Sequence, residues 1–288
     1  MTEYDTVILT MKRSRITITL QEAIVADLDR LVDGERIRNR SHAVEYLLTQ
    51  TMKPRIQTAF ILAGGKGVRM KPFTHELPKS LLPVRGKPIL EHQIDLLRNA
   101  DIRNIIILIG HLGEKIKAHF GDGGKFGVSL TYLEQKEKEI GTAYALQYAE
   151  HALADKPFLA MYGDVLAEIN VRDLIAHHTA AGATATVALT SIKYPSFYGV
   201  AKLRGEKITQ FLEKPREHEE LSRVISAGIF CFEPSVFKTI GTKQAAALER
   251  DVFPKLAAEG KLNGYLFEGK WFDIGTRDIY ARAIKEWR

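Results

Sequence analysis

The sequence predicts a layered α/β sheet with helices on both faces, preceded by a short segment of different character, and three observations support this. From Thr58 onward, short apolar runs rich in β-branched residues alternate with stretches of helical periodicity. The runs are apolar at consecutive rather than alternate positions, the mark of strands covered on both faces. The first 55 residues break this alternation, holding one alternating pattern and two helical stripes.

In chain order, "RSRITITLQ" alternates strictly and reads as a strand, with Ile16, Ile18 and Leu20 on one side and Arg15, Thr17 and Thr19 on the other. "QEAIVADLDRLV" puts Ile24, Leu28 and Leu31 on one helical stripe, and "NRSHAVEYLLTQTM" does the same with Val44, Leu47 and Leu48 behind an Asn39 N-cap. One strand and two helices cannot close a core, so this unit must borrow apolar surface from the larger domain or from a second copy of itself. "TMKPRIQ" around Pro54 reads as a linker, giving domains 1–55 and 56–288. In the larger domain "TAFILA", "NIIILIG", "GVSLTYL", "PFLAMYG", "ATATVALT", "RVISAGIFCF" and "LNGYLF" read as strands. "PILEHQIDLLRNA" reads as a helix, with Ile89, Ile94 and Leu97 on its inner face.

The totals bound the function. The chain has 288 residues, 45% of them hydrophobic, which suits one large and one small domain and is too apolar for disorder. Lys and Arg number 41 against 35 Asp and Glu, a net charge of +6, so anionic partners are favoured. Cys231 is the single cysteine, which excludes an intrachain disulfide, and its apolar run "AGIFCFEP" marks a buried thiol rather than a nucleophile. No apolar run approaches the roughly 18 residues of a membrane helix. The N-terminus also lacks the basic start and cleavage site of a secretory signal, so a cytoplasmic protein with no membrane partner is expected.

Directly after "TAFILA" stands "GGKGVRM", a flexible cationic loop at the end of a buried strand. Glycine there lets backbone N–H groups approach a ligand with no Cβ in the way, which suits a phosphate. A dinucleotide fingerprint would need its third glycine at Met70, and no Gly-Lys-Ser or Gly-Lys-Thr follows to make a Walker loop. The stretch from Gly64 to Lys79 instead has the form Gly-Gly-x-Gly-x-Arg-x-x-Pro-x-Thr-x-x-x-Pro-Lys. This pattern resembles the signature of sugar-1-phosphate nucleotidyltransferases, also called NDP-sugar pyrophosphorylases.

That resemblance implies a Rossmann-like sheet of the nucleotide-diphospho-sugar transferase type, NTP and sugar 1-phosphate substrates, and Mg²⁺ as cofactor. Gly64, Gly65 and Gly67 would supply backbone donors, Arg69 a bidentate fork for the β and γ phosphates, and Lys79 a point charge near the α phosphate. Ala63 and Gln135 join them on the nucleotide. "EIGTAYAL" resembles the family's Leu-Gly-Thr-Ala segment, placing Gly141 at the base and Thr142 at a helix start. "AMYGDV" and "WFDIGT" supply Asp164 and Asp273 as counterparts of the two metal aspartates. "SFYGVAKL" and "ITQFLEKP" resemble the sugar side, with Gly199 and Glu213 at the sugar and Lys214 at its phosphate. Ser226 joins that side, standing where the GDP-mannose branch usually has Asn.

"ALERDVFPKLAAEGKLNGYLFEGKWFDIG" looks most like GDP-mannose and related guanylyl transferases without a β-helix tail, and no hexapeptide array follows it. "KEKEIGTA" lacks the usual proline, so guanylyl transfer to mannose 1-phosphate and uridylyl or thymidylyl transfer to glucose 1-phosphate both stay open. A different class also stays open: a transcriptional regulator whose α/β domain only senses sugar nucleotides.

"KRSRITITL" with "NRSHAVEYLL" resembles a ribbon-helix-helix domain, in which two chains pair their strands and the ribbon enters the major groove of double-stranded DNA. The resemblance implies a homodimer or higher oligomer. Arg15, Thr17 and Thr19 would face bases, and the amides of Asn39, Arg40 and Ser41 a phosphate. Residues 11–55 hold nine Lys or Arg against six Asp or Glu, so a dimerisation module without DNA binding remains the alternative.

Overall fold

The computed structural model describes residues 16–35, 37–51, 56–136, 141–241 and 245–287. The chain divides into two compact units, Met1–Lys53 and Pro54–Arg288.

In the first unit α1 (Glu22–Leu31) and α2 (Arg40–Thr51) enclose a small core of Leu28, Ile37 and Ala43. The Asn39 carboxamide accepts from the His42 amide at 2.9 Å, satisfying one of the orphan donors at the start of α2. Ile16–Leu20 form no strand in the single chain, contrary to the sequence expectation, and Ile16 and Ile18 are exposed. A strand exists only as a hydrogen-bonded partner of another strand, and the described residues of this unit contain none.

The second unit runs β1 (Thr58–Ala63), β2 (Pro83–Val84), β3 (Lys87–Pro88), α3 (Ile89–Asn99), β4 (Asn104–Ile109), α4 (Gly113–Phe120), β5 (Ser129–Glu134), α5 (Thr142–Gln147), α6 (Glu150–Leu153) and β6 (Phe158–Tyr162). It continues through β7 (Val165–Ala167), α7 (Val171–Ala181), β8 (Ala185–Ser191), β9 (Gly199–Arg204), β10 (Lys207–Glu213), β11 (Val224–Phe232), α8 (Phe253–Ala258), β12 (Leu262–Leu266), β13 (Trp271–Asp273) and α9 (Arg277–Glu286).

The main sheet has the order β5-β4-β1-β6-β11-β8-β12-β10-β9. The β5-β4-β1-β6 half is parallel, and β11 runs antiparallel to both β6 and β8. Consecutive residues of β1 enter different cores: Ala59 and Ile61 pack on one face of the sheet and Phe60 on the other. This is the physical content of the continuous apolar runs, since each face of the sheet buries its own set. Because β1 and β6 are parallel and adjacent, their C-terminal ends open on the same edge of the sheet, where ligands of open α/β sheets bind.

Candidate active site

The loop after β1 turns on Gly67, a position that nothing larger fits. Gly67 has φ +61° and begins the short turn Val68–Met70, and the Thr74 hydroxyl donates to its carbonyl at 2.8 Å. A Cβ there would meet the Thr74 methyl at 2.9 Å, so both the backbone angle and the space demand glycine. Gly64 is pressed between two neighbours, since its Cβ would lie 2.6 Å from Gln135 Oε1, while a Cβ on Gly110 would lie 2.4 Å from the Gly64 carbonyl. Gly110 stands directly after β4, so a glycine closing the apolar run "NIIILI" is the sequence mark of this close approach.

Around this loop lies a cleft of about 240 Å³, lined by Ala63, Gly65, Gly67, Arg69, Lys79 and Asp164 among others. Lys79 opens a short turn after Pro78, and its ammonium ion-pairs with Asp164. Asp164 occupies the two-residue turn between β6 and β7, and Gln93 of α3 clamps that turn from below, donating to the carbonyls of Tyr162 at 2.7 Å and Val165 at 2.8 Å. Asp273 ends β13, which pairs with β7 so that Asp273 is opposite Val165 and the Ile274 amide donates to the Asp164 carbonyl at 2.9 Å. A Cβ on Gly275 would touch Arg69 Nη2 at 3.2 Å and Asp273 Oδ2 at 3.5 Å, so the guanidinium and the second carboxylate flank one point.

These charges act on one another. Burial, and after it the charge of Asp164, pushes the Asp273 carboxyl up to about 6, while Lys79, Arg69 and Lys214 pull it down. Two carboxylates and three cations therefore share one field.

On the far side, Gly199 opens β9 opposite Glu213, and its Cβ would lie 3.1 Å from Glu213 Oε2. Lys214 follows at φ +47°, a left-handed backbone that a non-glycine residue keeps only under constraint, and its amide donates to the Tyr198 carbonyl at 3.0 Å. Its ammonium is 3.4 Å from Glu213 Oε1. Ser226 sits in an irregular stretch of β11, buried, with its hydroxyl accepting from the Gly228 amide at 3.3 Å.

The match to known proteins follows this geometry, because the nucleotidyl transferase family matches residues 58–288, the entire sheet and cleft. The chain belongs to the nucleotidyl transferase family. It is 34% identical over 241 residues to the UTP–glucose-1-phosphate uridylyltransferase of Synechocystis sp., covering 79% of this chain and 62% of that one. It is 32% identical over 222 residues to the mannose-1-phosphate guanylyltransferase catalytic subunit beta of Danio rerio, covering 75% and 61%. The chain thus spans about three fifths of the length of these curated relatives. Among solved structures, a Bacillus anthracis protein assigned as a glucose-1-phosphate thymidylyltransferase, crystallised with sucrose, superposes with a TM-score of 0.74 at 31% identity, covering 79% of this chain and 94% of that one.

Three further side chains around these residues carry no local sequence signal. Tyr198 stacks edge-on against Trp271 with ring centroids 5.3 Å apart, and its hydroxyl is raised by burial and by Asp273. Glu249 accepts from the hydroxyls of both Tyr162 and Thr142. Gly141 and Thr142 are tied to the 245–249 segment: a Cβ on Gly141 would lie 1.9 Å from the Ala246 carbonyl, which also accepts from the Ala143 and Tyr144 amides.

The expected DNA-facing residues lie in the other unit. Arg15 falls outside the described residues, and Thr17, Thr19, Asn39, Arg40 and Ser41 are exposed. The Arg40 guanidinium is held bidentately by Asp29 at 2.6 and 2.7 Å. Among the described residues no helix is long and apolar enough to cross a membrane.

Proposed function

We propose that the chain transfers a nucleotidyl group from an NTP to a sugar 1-phosphate with Mg²⁺ as cofactor. The observation that supports this most is the meeting of Arg69, Lys79 and Asp164 in one glycine-walled cleft, with Asp273 beside Arg69 at the Gly275 wall, cations for a triphosphate beside carboxylates for a metal. A sugar-1-phosphate oxygen forms a bond to the α phosphorus while the bond to the bridging oxygen breaks and pyrophosphate leaves. Arg69 and Lys79 hold the triphosphate and stabilise charge as it develops, Lys214 holds the sugar phosphate and Glu213 the sugar. The donor set fits Mg²⁺, since two hard-oxygen carboxylates on adjacent backbone segments already repel each other. Asp164 and Asp273 would hold the ion, which would add charge neutralisation at the phosphates. A regulator that only sensed sugar nucleotides would have no need of both aspartates. The test is pyrophosphate release from each NTP with mannose, glucose and heptose 1-phosphates, and no turnover with any pair refutes the reading.

A second reading is favoured by the exposed Ile16, Ile18, Ile24 and Leu31 of the first unit. An apolar stripe of this kind on so small a core suits pairing with a second copy into a ribbon-helix-helix dimer that can engage double-stranded DNA. Deleting residues 1–53 should lower the assembly state by sedimentation and spare turnover.

A further inference from the structure

A buried acid beside the sugar end of the cleft has no task in the proposed chemistry. Glu249 is 8% exposed and lies in a π-helical turn, Leu248–Val252, that leads into α8. Such turns give up regular bonding to aim a side chain and recur at functional sites.

The two Glu249 oxygens have separate donors. Oε1 accepts from the Tyr162 hydroxyl and Oε2 from the Thr142 hydroxyl at 3.1 Å, while Thr142 Oγ1 accepts from the Leu248 amide at 2.8 Å. Glu213 is close enough that its charge raises both the Glu249 carboxyl and the Tyr162 phenol, after the larger effect of burial on each. The Glu249–Tyr162 pair therefore adjoins the residue expected at the sugar.

The Tyr162 ring has little freedom. Gly228, at φ +73°, leaves no room for a Cβ, which would lie 2.8 Å from the ring, and Phe230 meets that ring edge-on at 5.4 Å. The Tyr162 carbonyl is held by Gln93. What remains is the direction of one hydroxyl proton, and Glu249 takes it. A phenol whose proton is committed keeps only acceptor capacity for anything else. With the Glu213 carboxylate it would offer acceptors alone, which matches the hydroxyl donors of a sugar ring.

We infer that Glu249 is a positioning residue which, through the Tyr162 hydroxyl, sets which ring hydroxyl of the sugar 1-phosphate the site accepts and so takes part in sugar discrimination. The inference rests on the nucleotidyltransferase reading. A site built to hydrogen-bond a substrate hydroxyl rejects an analogue that misplaces it, because its own polar groups are left unpaired.

The experiment measures both KM values, kcat and the kcat/KM ratio among mannose, glucose and galactose 1-phosphates for the full chain and for Tyr162→Phe, Glu249→Ala and Glu249→Gln. Tyr162→Phe and Glu249→Ala should raise the sugar-phosphate KM about tenfold and narrow the sugar ratio about tenfold, with the NTP KM within about twofold, the scale of one lost hydrogen bond. Glu249→Gln, whose amide oxygen still accepts from Tyr162, should restore most of the discrimination. Tyr162→Phe keeps the ring and deletes only the hydroxyl, so it reads the inference even if Glu249→Ala does not fold. Equal rises in both KM values, an unchanged sugar ratio, or a Gln variant as impaired as Ala overturns it. A wild-type chain that turns over no pair refutes the nucleotidyltransferase reading and this inference with it. Turnover with an unchanged ratio in Tyr162→Phe refutes this inference alone.

Discussion

The Lys79 ammonium is ion-paired with the Asp164 carboxylate, so a cation from the loop after β1 meets an anion from the turn after β6, 85 positions away. The side chains are 15% and 25% exposed, which places the pair between a surface bridge and a buried one. Without Lys79, Asp164 would face Asp273 with one counter-charge fewer.

Lys79→Met should therefore lower kcat by about 100-fold or more, the scale of one lost stabilising donor. Its stability cost should be smaller, about 2 kcal/mol, because Asp164 can still reach water. Steady-state pyrophosphate release and urea denaturation on the same preparation separate the two. A large loss of stability with kcat near wild type would show the pair to be structural only.

Lys214 gives a sharper separation, because its left-handed backbone and its charge can be changed independently. Lys214→Ala and Lys214→Gly should both raise KM for the sugar 1-phosphate more than for the NTP. Lys214→Gly should be the more stable of the two by about 1 kcal/mol, since glycine adopts φ +47° without a Cβ penalty. Equal rises in both KM values would move Lys214 away from the sugar phosphate.

Much of the sheet was legible in the amino-acid order. β1, β4 and β6 are continuous apolar runs because both their faces are covered, and the runs "TAFILA" and "NIIILI" coincide with whole strands. β9 and β10, at one end of the strand order, mix exposed Lys202, Arg204 and Gln210 with buried Val200 and Phe211, so they lack the continuous apolar run of a central strand. β7 and β13 are three residues each, too short for any periodicity, and they exist through pairing with one another. The glycines and cations of the loop after β1 stand in one contiguous pattern, which local reading reaches. Glu249 has no local signature, because its partners Thr142 and Tyr162 are 107 and 87 positions away. The N-terminal strand pattern is intact in the sequence, yet none of the described residues of the first unit forms a strand to pair with it.

His178 provides the pH test, well away from the cleft. It is 1% exposed on α7, its Nδ1 is 2.8 Å from the Thr186 hydroxyl, and burial pulls its pKa from 6.5 down to about 4. Glu233 at 3.6 Å from Nε2 is 40% exposed and does not offset this. Above pH 6.5 the ring is neutral in both folded and unfolded chains and contributes no slope. Between about 6.5 and 4 only the unfolded chain takes up the proton, so stability falls as pH falls, by about 3 kcal/mol in total. His178→Gln should remove that slope in denaturation curves at pH 7, 6, 5 and 4.5. A slope unchanged by the substitution would assign the acid loss to other groups.

Gly141→Ala tests the link between α5 and the π-helical turn. The backbone angle, φ −77°, is open to any residue, so the objection is purely spatial: the new methyl would overlap the Ala246 carbonyl at 1.9 Å. That carbonyl is backbone and accepts two amides, so the 245–249 segment must shift as a whole. We expect a loss of about 1–3 kcal/mol from overpacking. Turnover should fall further than stability, because Glu249 moves with the segment. Wild-type kinetics in a folded Gly141→Ala protein would show that the segment adapts.

The last prediction concerns the first unit, where Arg40 is already engaged by Asp29. Side-chain hydrogen bonding and the charge of Asp29 raise the Arg40 pKa, so the guanidinium stays cationic, and on the proposed DNA-binding reading a phosphate would compete with the carboxylate for it. Asp29→Asn removes that competitor and adds one positive charge per chain, so it should tighten DNA binding on every sequence and steepen the salt dependence. Arg40→Ala should do the reverse, since phosphate contacts act without regard to sequence. Thr17→Ala, at a position expected to face bases, should instead blunt discrimination between sites. Anisotropy titrations of genomic fragments at two salt concentrations check all three. If the intact protein binds no DNA at low salt and Asp29→Asn does not change that, the unit serves as a dimerisation module and the Arg40–Asp29 bridge belongs to its fold.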